Sequence, residues 1–202
     1  MWIVGDATIK GSETGTSFKQ ALYFKEIGFN IHDTMIYHKQ FYVPLTHNRY
    51  EQEFEYMFVF SKGPPKTFNP KKVKTLFGGK KSTLTHRKTG EEPVRGTNYG
   101  EARKEERIIG NVWLKQPARG SEHPAVFPDD LAEDHILSWS NPGDAVLDPF
   151  SGSATTAIAC INTNRNYILI EKDESYFNIG NQRIQNHLAT LQSRNLQLFE
   201  DF

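Results

Sequence analysis

Two acids close two apolar runs in the last third of the chain. Asp148 ends "AVLD" (145–148), and Glu171 ends "YILIE" (167–171). Between them lies "PFSGSATT", small and hydroxyl residues that lead into the apolar "AIACI". The order strand, short turn, helix, strand, acid is that of a βαβ unit. Open sheets of this kind bind ligands beyond the carboxyl ends of their strands. Each residue type has a use there. Gly152 admits a close backbone approach. Ser153 and Thr155 stand where the helix opens, and free amides at such a place can hold a carboxylate or a phosphate. Asp148 can accept from an ammonium group. Glu171, 19 residues after Gly152, can accept from both hydroxyls of a ribose. A plain βα turn, with Asp148 as helix cap and Glu171 as surface charge, accounts for the same residues.

A ligand with an amino acid at one end and a ribose at the other would engage all of these groups, and S-adenosylmethionine has that shape. Competing chemistries fare worse. The G-x-G-x-x-G glycines of a dinucleotide site are absent. Neither Ser151 nor Ser153 has the flanking glycines of a hydrolase elbow. The seven histidines are scattered and no His-Glu-x-x-His or cysteine pair occurs, so no metal site is expected.

The elements that must carry these residues can be read in order. "MWIVG" reads as a strand buried on both faces, as in a parallel sheet. "GSETGTSFKQALYFKEIGF" reads as a helix capped by Thr14 or Thr16, with Phe18, Ala21, Leu22 and Phe24 on its apolar side. Gly28 suits the left-handed position after its end, with Phe29 packing back. "NIHDTMIYHK" and "FEYMFVFSK" read as an antiparallel strand pair. Periodicity is lost from 62 to about 110, where Gly-Pro-Pro, Gly-Gly and Lys-Lys fall. It returns with a helix begun by Pro128, Asp129 and Asp130, carrying Leu131, Ala132, Ile136 and Trp139. "NPGD" is a turn. A last helix from about Asp173 places Phe177, Ile184, Leu188 and Leu191 on one side.

The 202 residues suffice for one α/β domain. Net charge is zero, yet Lys62–Arg107 holds thirteen basic residues against five acidic ones. Such a local excess fits a polyanionic partner, or a solvated loop. The single cysteine, Cys160, lies in an apolar run and reads as core. No disulfide can form within the chain, which fits a reducing, cytoplasmic compartment. No apolar stretch approaches the ~18 residues of a membrane span.

Several segments together resemble the amino-methylating DNA methyltransferases of the permuted, β-type group. "LDPFSGSATT" resembles that family's cofactor motif, usually Asp-Pro-Phe-x-Gly-Ser-Gly-Thr-Thr. "HPAVFPDDLAEDHI" (123–136) is similar to the segment before it, and "RYEQEFEYMFVFSKG" (49–63) to the strand before the recognition insertion. The stretch from Gly5 to Lys39 is similar to the segment downstream of the catalytic loop. The resemblance covers nearly the whole chain, in the family's order. It implies an α/β, Rossmann-like methyltransferase sheet with an antiparallel hairpin, incomplete at the amino terminus, plus a basic recognition insertion. Residues 1–61 would be the second half of the sheet, 62–110 the target-recognition insertion, and 111–202 the cofactor-binding half. S-adenosylmethionine is the implied cofactor. Asp148, Pro149, Phe150, Gly152, Ser153 and Thr155 would line its methionine end, Glu171 would take the ribose, and Phe127 and Pro128 would help close the pocket. Phe127 can equally be a hydrophobic staple. The motif's last glycine is Ala154 here, which is harmless if that position is helical and costs ~1–2 kcal/mol if it is left-handed. The helical case is expected.

The family's chemistry sits on an Asp/Asn/Ser-Pro-Pro-aromatic loop that holds the exocyclic amine of a flipped-out base. The only Pro-Pro here, Pro64-Pro65, is flanked by Gly63 and Lys66. It has neither the polar residue nor the aromatic, so no catalytic residue is assigned. In the permuted group the loop precedes the strand seen as "MWIVG". The missing part would also supply a central strand between those ending at Gly5 and Asp148. The expectation is a sheet that closes by direct pairing of these neighbours, or that needs an amino-terminal partner chain or self-association. The implied activity is transfer of methyl to adenine N6 or cytosine N4 in double-stranded DNA, as in restriction-modification, with this chain inactive alone. A non-catalytic DNA-binding or regulatory relative, or one half of a split methyltransferase, are the alternatives. Arg49, Lys71, Lys72, Lys74, Lys80, Lys81, Arg87, Lys88 and Arg95 would meet DNA, mostly at phosphates. An ion pair of Arg49 with Glu51 or Glu53 is the other reading of that residue. Tyr99 or Phe77 would stack, or form a small local core.

Overall fold

The computed structural model describes residues 1–39, 48–83, 85–86, 94–95, 100–116 and 128–200. The chain divides into two compact units, one of Met1–Asn69 with Asn111–Phe202 and one of Pro70–Gly110. The first begins with β1 (Trp2–Val4), a hairpin of β2 (Thr8–Ile9) and β3 (Ser12–Glu13), α1 (Thr16–Glu26), β4 (Asn30–Lys39) and β5 (Phe54–Ser61). The second unit holds β6 (Lys72–Lys74), β7 (Thr85–His86), β8 (Val94–Arg95) and β9 (Glu106–Ile108). The first then resumes with β10 (Val112–Lys115), α2 (Asp129–Trp139), β11 (Ala145–Asp148), α3 (Thr155–Asn162), β12 (Asn166–Leu169) and α4 (Glu174–Glu200).

Alternation along β5 explains the first layer of packing. Phe54, Tyr56, Phe58 and Phe60 share one face, each ring 5.4–5.9 Å from the next. Helix α1 lies on this ladder, with Phe24 stacked on Phe60 at 4.5 Å and Phe18 5.5 Å from Tyr56. The opposite face turns Met57 and Val59 into the core. There Nε2 of His135 lies 3.2 Å from Met57 Sδ, and the same imidazole rests 4.6 Å from the Trp113 ring of β10. The far side of α2 packs on α3, where Ala132 and Ile136 meet Ala159 and Cys160 over Val146 and Tyr167. Cys160 is a core residue, and burial pushes its thiol up to about 11.

Sheet topology corrects the reading of the first strand and bears on the gap in the sheet. The first sheet runs β1-β5-β4-β10. Strand β1 pairs antiparallel with β5, Trp2 opposite Phe58. It is half-buried, not covered on both faces, and among the described residues it pairs on one side only. Strand β10, only four residues long and not singled out in sequence, pairs parallel with β4, Trp113 opposite Tyr37. Strands β11 and β12 form a separate parallel pair, Asp148 opposite Leu169. Among the described residues β1 and β11 do not pair, so direct closure of the gap is not the route taken. A ring contact spans the two sides, Trp2 lying 5.8 Å from Phe150. Leu147, Ile168 and Ile170 remain more than half exposed on β11, β12 and the residue beyond.

Helix α1 departs from its expected cap and stripe. Gly15, left-handed at φ 62, is the N-cap and no side chain of its own caps the end. Asp6 does so from outside. Its Oδ1 accepts from the Ser17 amide at 3.2 Å and the Thr14 hydroxyl at 3.1 Å, and its Oδ2 accepts from the Ser17 hydroxyl. Ser17 and Ala21 are the buried residues, whereas Phe18 and Leu22 are 53% and 65% exposed. Small residues let the helix lie close to the ladder. Its end is as expected, with Gly28 at φ 96 and the Phe29 amide donating to Phe24 O. At the other end of the chain Asp173 caps α4 through the Ser175 and Tyr176 amides. Ile184 is buried and Leu188 packs beside it, but Phe177 is 51% exposed.

The second unit is built from the antiparallel pairs β6·β9 and β7·β8 and a bridge from Lys81 to Ala102. Gly78 allows its two sides to meet, since a Cβ there would sit 2.7 Å from Glu105 Cα. Residues 62–69 go with the first unit instead. The Asn69 side chain donates to Leu137 O and Ser140 O at 3.1 Å, and Phe68 stacks on Trp139 at 4.9 Å. Among the described residues no helix is long and apolar enough to cross a membrane.

Candidate cofactor site

The candidate site is the turn between β11 and α3, held against the end of β12. Parallel pairing continues past the strands, with Ile170 N donating to Asp148 O and Ser151 N to Ile170 O. The Asp148 carboxylate organises the turn. Its Oδ1 accepts from Phe150 N at 3.0 Å and its Oδ2 from the Thr156 hydroxyl at 2.6 Å. Glu171 reaches across and accepts from Gly152 N at 2.8 Å with one oxygen and from Asp173 N at 2.9 Å with the other. The Asp173 amide and then the Gly152 amide hold this carboxyl below the usual glutamate range. Glu171 is thereby favoured in its charged form, and the oxygens of both carboxyl groups keep lone pairs for a further donor.

Ala154 overturns the helical expectation. It is the N-cap of α3 and left-handed, φ 63 and ψ 32, and Gly152 is left-handed as well. The turn must reverse between β11 and α3 within six residues, which a helical residue at 154 would not allow. Ala154 is 1% exposed, and its Cβ and the Gly152 carbonyl face Gly180 of α4. A Cβ at Gly180 would meet each of them at 3.2 Å.

Ser153 and Thr155, 6% and 4% exposed, are not free to offer their side chains. Arg183 of α4 donates through Nη1 to Ser153 O at 3.1 Å and to the Thr155 hydroxyl at 2.9 Å, and through Nη2 to Asp129 at 2.6 Å. Backbone amides are what remains for an anion: that of Thr155 opens α3, where the first amides have no intrahelical acceptor, and that of Ser153 lies just before the N-cap. Phe150 is 72% exposed beside the turn, with Pro149 next to it. Pro128 is buried at the start of α2, its carbonyl accepting from Leu131 N at 3.0 Å. Phe127 lies outside the described residues. The donor set suits a zwitterionic amino acid joined to a ribose, with anionic acceptors at Asp148 and Glu171 and amides at the opening of α3.

Arg183, Thr156 and Gly180 are the residues that sequence reasoning missed. The signal for Arg183 was slight. It stands between buried Gly180 and Ile184 on α4, a cation on the helix's inner side. Among the described residues no group of three or more metal-binding side chains converges.

The expected DNA-facing residues divide. Lys71, Lys72, Lys74, Lys80 and Lys81 are exposed in the second unit. Lys80 and Arg103 lie 5.7 and 5.4 Å from the half-exposed Phe77 ring. Lys72 faces Glu106 at 3.9 Å, an exposed pair of little worth. Arg49 is engaged in the first unit. It pairs with Glu13 at 3.4 Å and donates to Gly11 O. Arg95 falls in β8, while Arg87, Lys88 and Tyr99 lie outside the described residues.

Comparison with known proteins bears on these features together. The DNA methylase family matches residues 1–182. The orphan methyltransferase M.BamHII of Bacillus amyloliquefaciens is 49% identical over 199 residues, 93% of this chain and 75% of its own length. Among solved structures, the M1.HpyAVI–SAM complex aligns with TM-score 0.55 and 28% identity, over 85% of this chain and 70% of its own. The cytosine-N4-specific PvuII DNA methyltransferase aligns with TM-score 0.63 and 19% identity, over 86% and 59%, a likeness of fold.

Proposed function

The chain belongs to the DNA methylase family, and from that premise we propose that it is the cofactor-binding and target-recognition part of an S-adenosylmethionine-dependent DNA amino-methyltransferase. The observation that carries this reading is the acid pair at the carboxyl ends of two parallel strands. Asp148 and Glu171 are both stitched to one small-residue turn. The cofactor supplies an electrophilic methyl group on a sulfonium. Asp148 would accept from its ammonium group, and the amides of Ser153 and Thr155 would face its carboxylate. Glu171 would take the ribose hydroxyls. Pro149, Phe150 and Gly152 would line the methionine end, and Phe127 and Pro128 the pocket wall.

Methyl transfer to adenine N6 or cytosine N4 needs a group that draws on the amine's protons and places its lone pair. No polar-Pro-Pro-aromatic loop occurs in these 202 residues, and Pro64-Pro65 follows β5 beside a left-handed Gly63. On this reading the loop comes from polypeptide outside them, whether continuous with the chain or a partner, and the chain is inactive alone. Among the described residues β1 and β11 each have an unpaired edge, and these edges with the exposed Leu147, Ile168 and Ile170 support a further strand there. The basic face of the second unit would meet duplex DNA at phosphates.

Calorimetric titration of S-adenosylmethionine into the chain tests the reading, with Asp148→Ala as control. Micromolar binding that this substitution weakens at least tenfold is expected. A cooperatively folded chain without binding would instead support a non-catalytic DNA-binding relative.

A further inference from the structure

We propose that Arg183 is the positioning residue of the cofactor turn, acting from α4 with Gly180 one turn before it. The inference rests on the reading that this turn takes the methionine end of S-adenosylmethionine.

The turn holds a conformation that its own sequence does not favour. Ala154 is left-handed without being glycine, so something outside the turn must hold it there. Arg183 is placed to do so. Its Nη1 bonds the Ser153 carbonyl and the Thr155 hydroxyl, the residues on either side of Ala154. The first bond sets which way the 153–154 peptide faces. The second sets the entry of α3 and therefore the direction of its first amides. Nη2 anchors the same planar group on Asp129 at the start of α2, where Pro128 lies. One guanidinium thus joins the turn, the opening of α3 and the opening of α2. Gly180 lets α4 come close enough, since a side chain there would press on Ala154 Cβ and Gly152 O. A lysine has one compact ammonium in place of this planar fork and cannot reproduce all three contacts.

The role is confined to the turn, so it should show at the amino-acid end of the ligand and not at the nucleoside end. The test uses the 202-residue chain, Arg183→Met and Arg183→Lys. Each is titrated by calorimetry with S-adenosylmethionine and with 5′-methylthioadenosine, which lacks the carboxylate and the ammonium. Thermal melting is followed in parallel. We expect Arg183→Met to weaken S-adenosylmethionine at least tenfold and methylthioadenosine less than twofold, with Arg183→Lys recovering only part of the loss. Equal weakening of both ligands overturns the proposal and leaves a general structural role. So does S-adenosylmethionine affinity within twofold of the unsubstituted chain. If Arg183→Met does not fold, Arg183→Lys decides on the same comparison of ligands. Failure of the unsubstituted chain to bind S-adenosylmethionine is a different result. It overturns the underlying reading, and the inference falls with it.

Discussion

Among single residues, His135 shows how burial changes what a side chain can do. It is 3% exposed, wedged between Met57 and Trp113, and among the described residues its Nδ1 has no hydrogen-bond partner. Burial pushes its pKa down to about 3, so the fold holds it neutral while the unfolded chain takes a proton below its ordinary 6.5. The consequence has a definite sign. Stability is complete above pH ~6.5 and falls by about 1.4 kcal/mol per pH unit below it, until the folded group itself titrates near pH 3. Urea titrations at pH 7, 6, 5 and 4 should show this slope for the native chain and a flatter one for His135→Leu. Parallel curves would mean that the imidazole is reached by water. Glu171 is the opposite case. It lies at the exposed end of its strand, where the Asp173 and Gly152 amides favour its charged form.

At the scale of elements, the helices depend on residues far from them in sequence. Asp6, eleven residues before Ser17, does the work of an N-cap for α1. Hydrogen bonds from Ser17 and Thr14 keep its carboxyl below the usual aspartate range, against the upward pull of burial. Asp6→Ala removes that cap and leaves the fully buried Ser17 hydroxyl without its acceptor. The expected loss is about 2–3 kcal/mol, measured by chemical denaturation. A loss below about 0.5 kcal/mol would show that α1 is held by its aromatic contacts alone. In the native chain this contribution is present above the unfolded aspartate pKa and disappears as pH falls through the lower folded value. Helix α2 works differently. It couples the two sheets, with His135 on one and Ala132 and Ile136 on α3.

At the scale of the molecule, charge and core are segregated. The basic excess lies in a small unit whose Val73, Leu76, Phe77 and Ile108 remain exposed. The acids of the candidate cofactor site belong to the larger unit. Replacing Lys71, Lys72, Lys74, Lys80 and Lys81 with glutamine should weaken binding to any duplex alike. The slope of log K against log salt should fall by about 0.9 for each phosphate that is no longer neutralised. An unchanged slope in filter-binding titrations would place the DNA surface elsewhere. Among its described residues the larger unit has open strand edges and exposed apolar side chains beside the acids, features that a further strand would cover.

Local physics sufficed for much of this protein. β-Branched and aromatic residues specified β4 and β5, the Gly28 stop and the Asp173 start bounded helices, and an acid at each of two strand ends with a glycine turn between them marked the candidate site. The DNA methylase family was legible for the same reason, since its motifs are short and continuous. Tertiary structure alone decided what depends on partners distant in sequence. It made β1 antiparallel, recruited β10, capped α1 with Asp6, turned Ala154 left-handed and brought Arg183 onto Ser153 and Thr155. Period and propensity describe a residue's own segment. They carry no information about which donor from another helix will lie within about 3 Å of it, and in this molecule such contacts shape the turn.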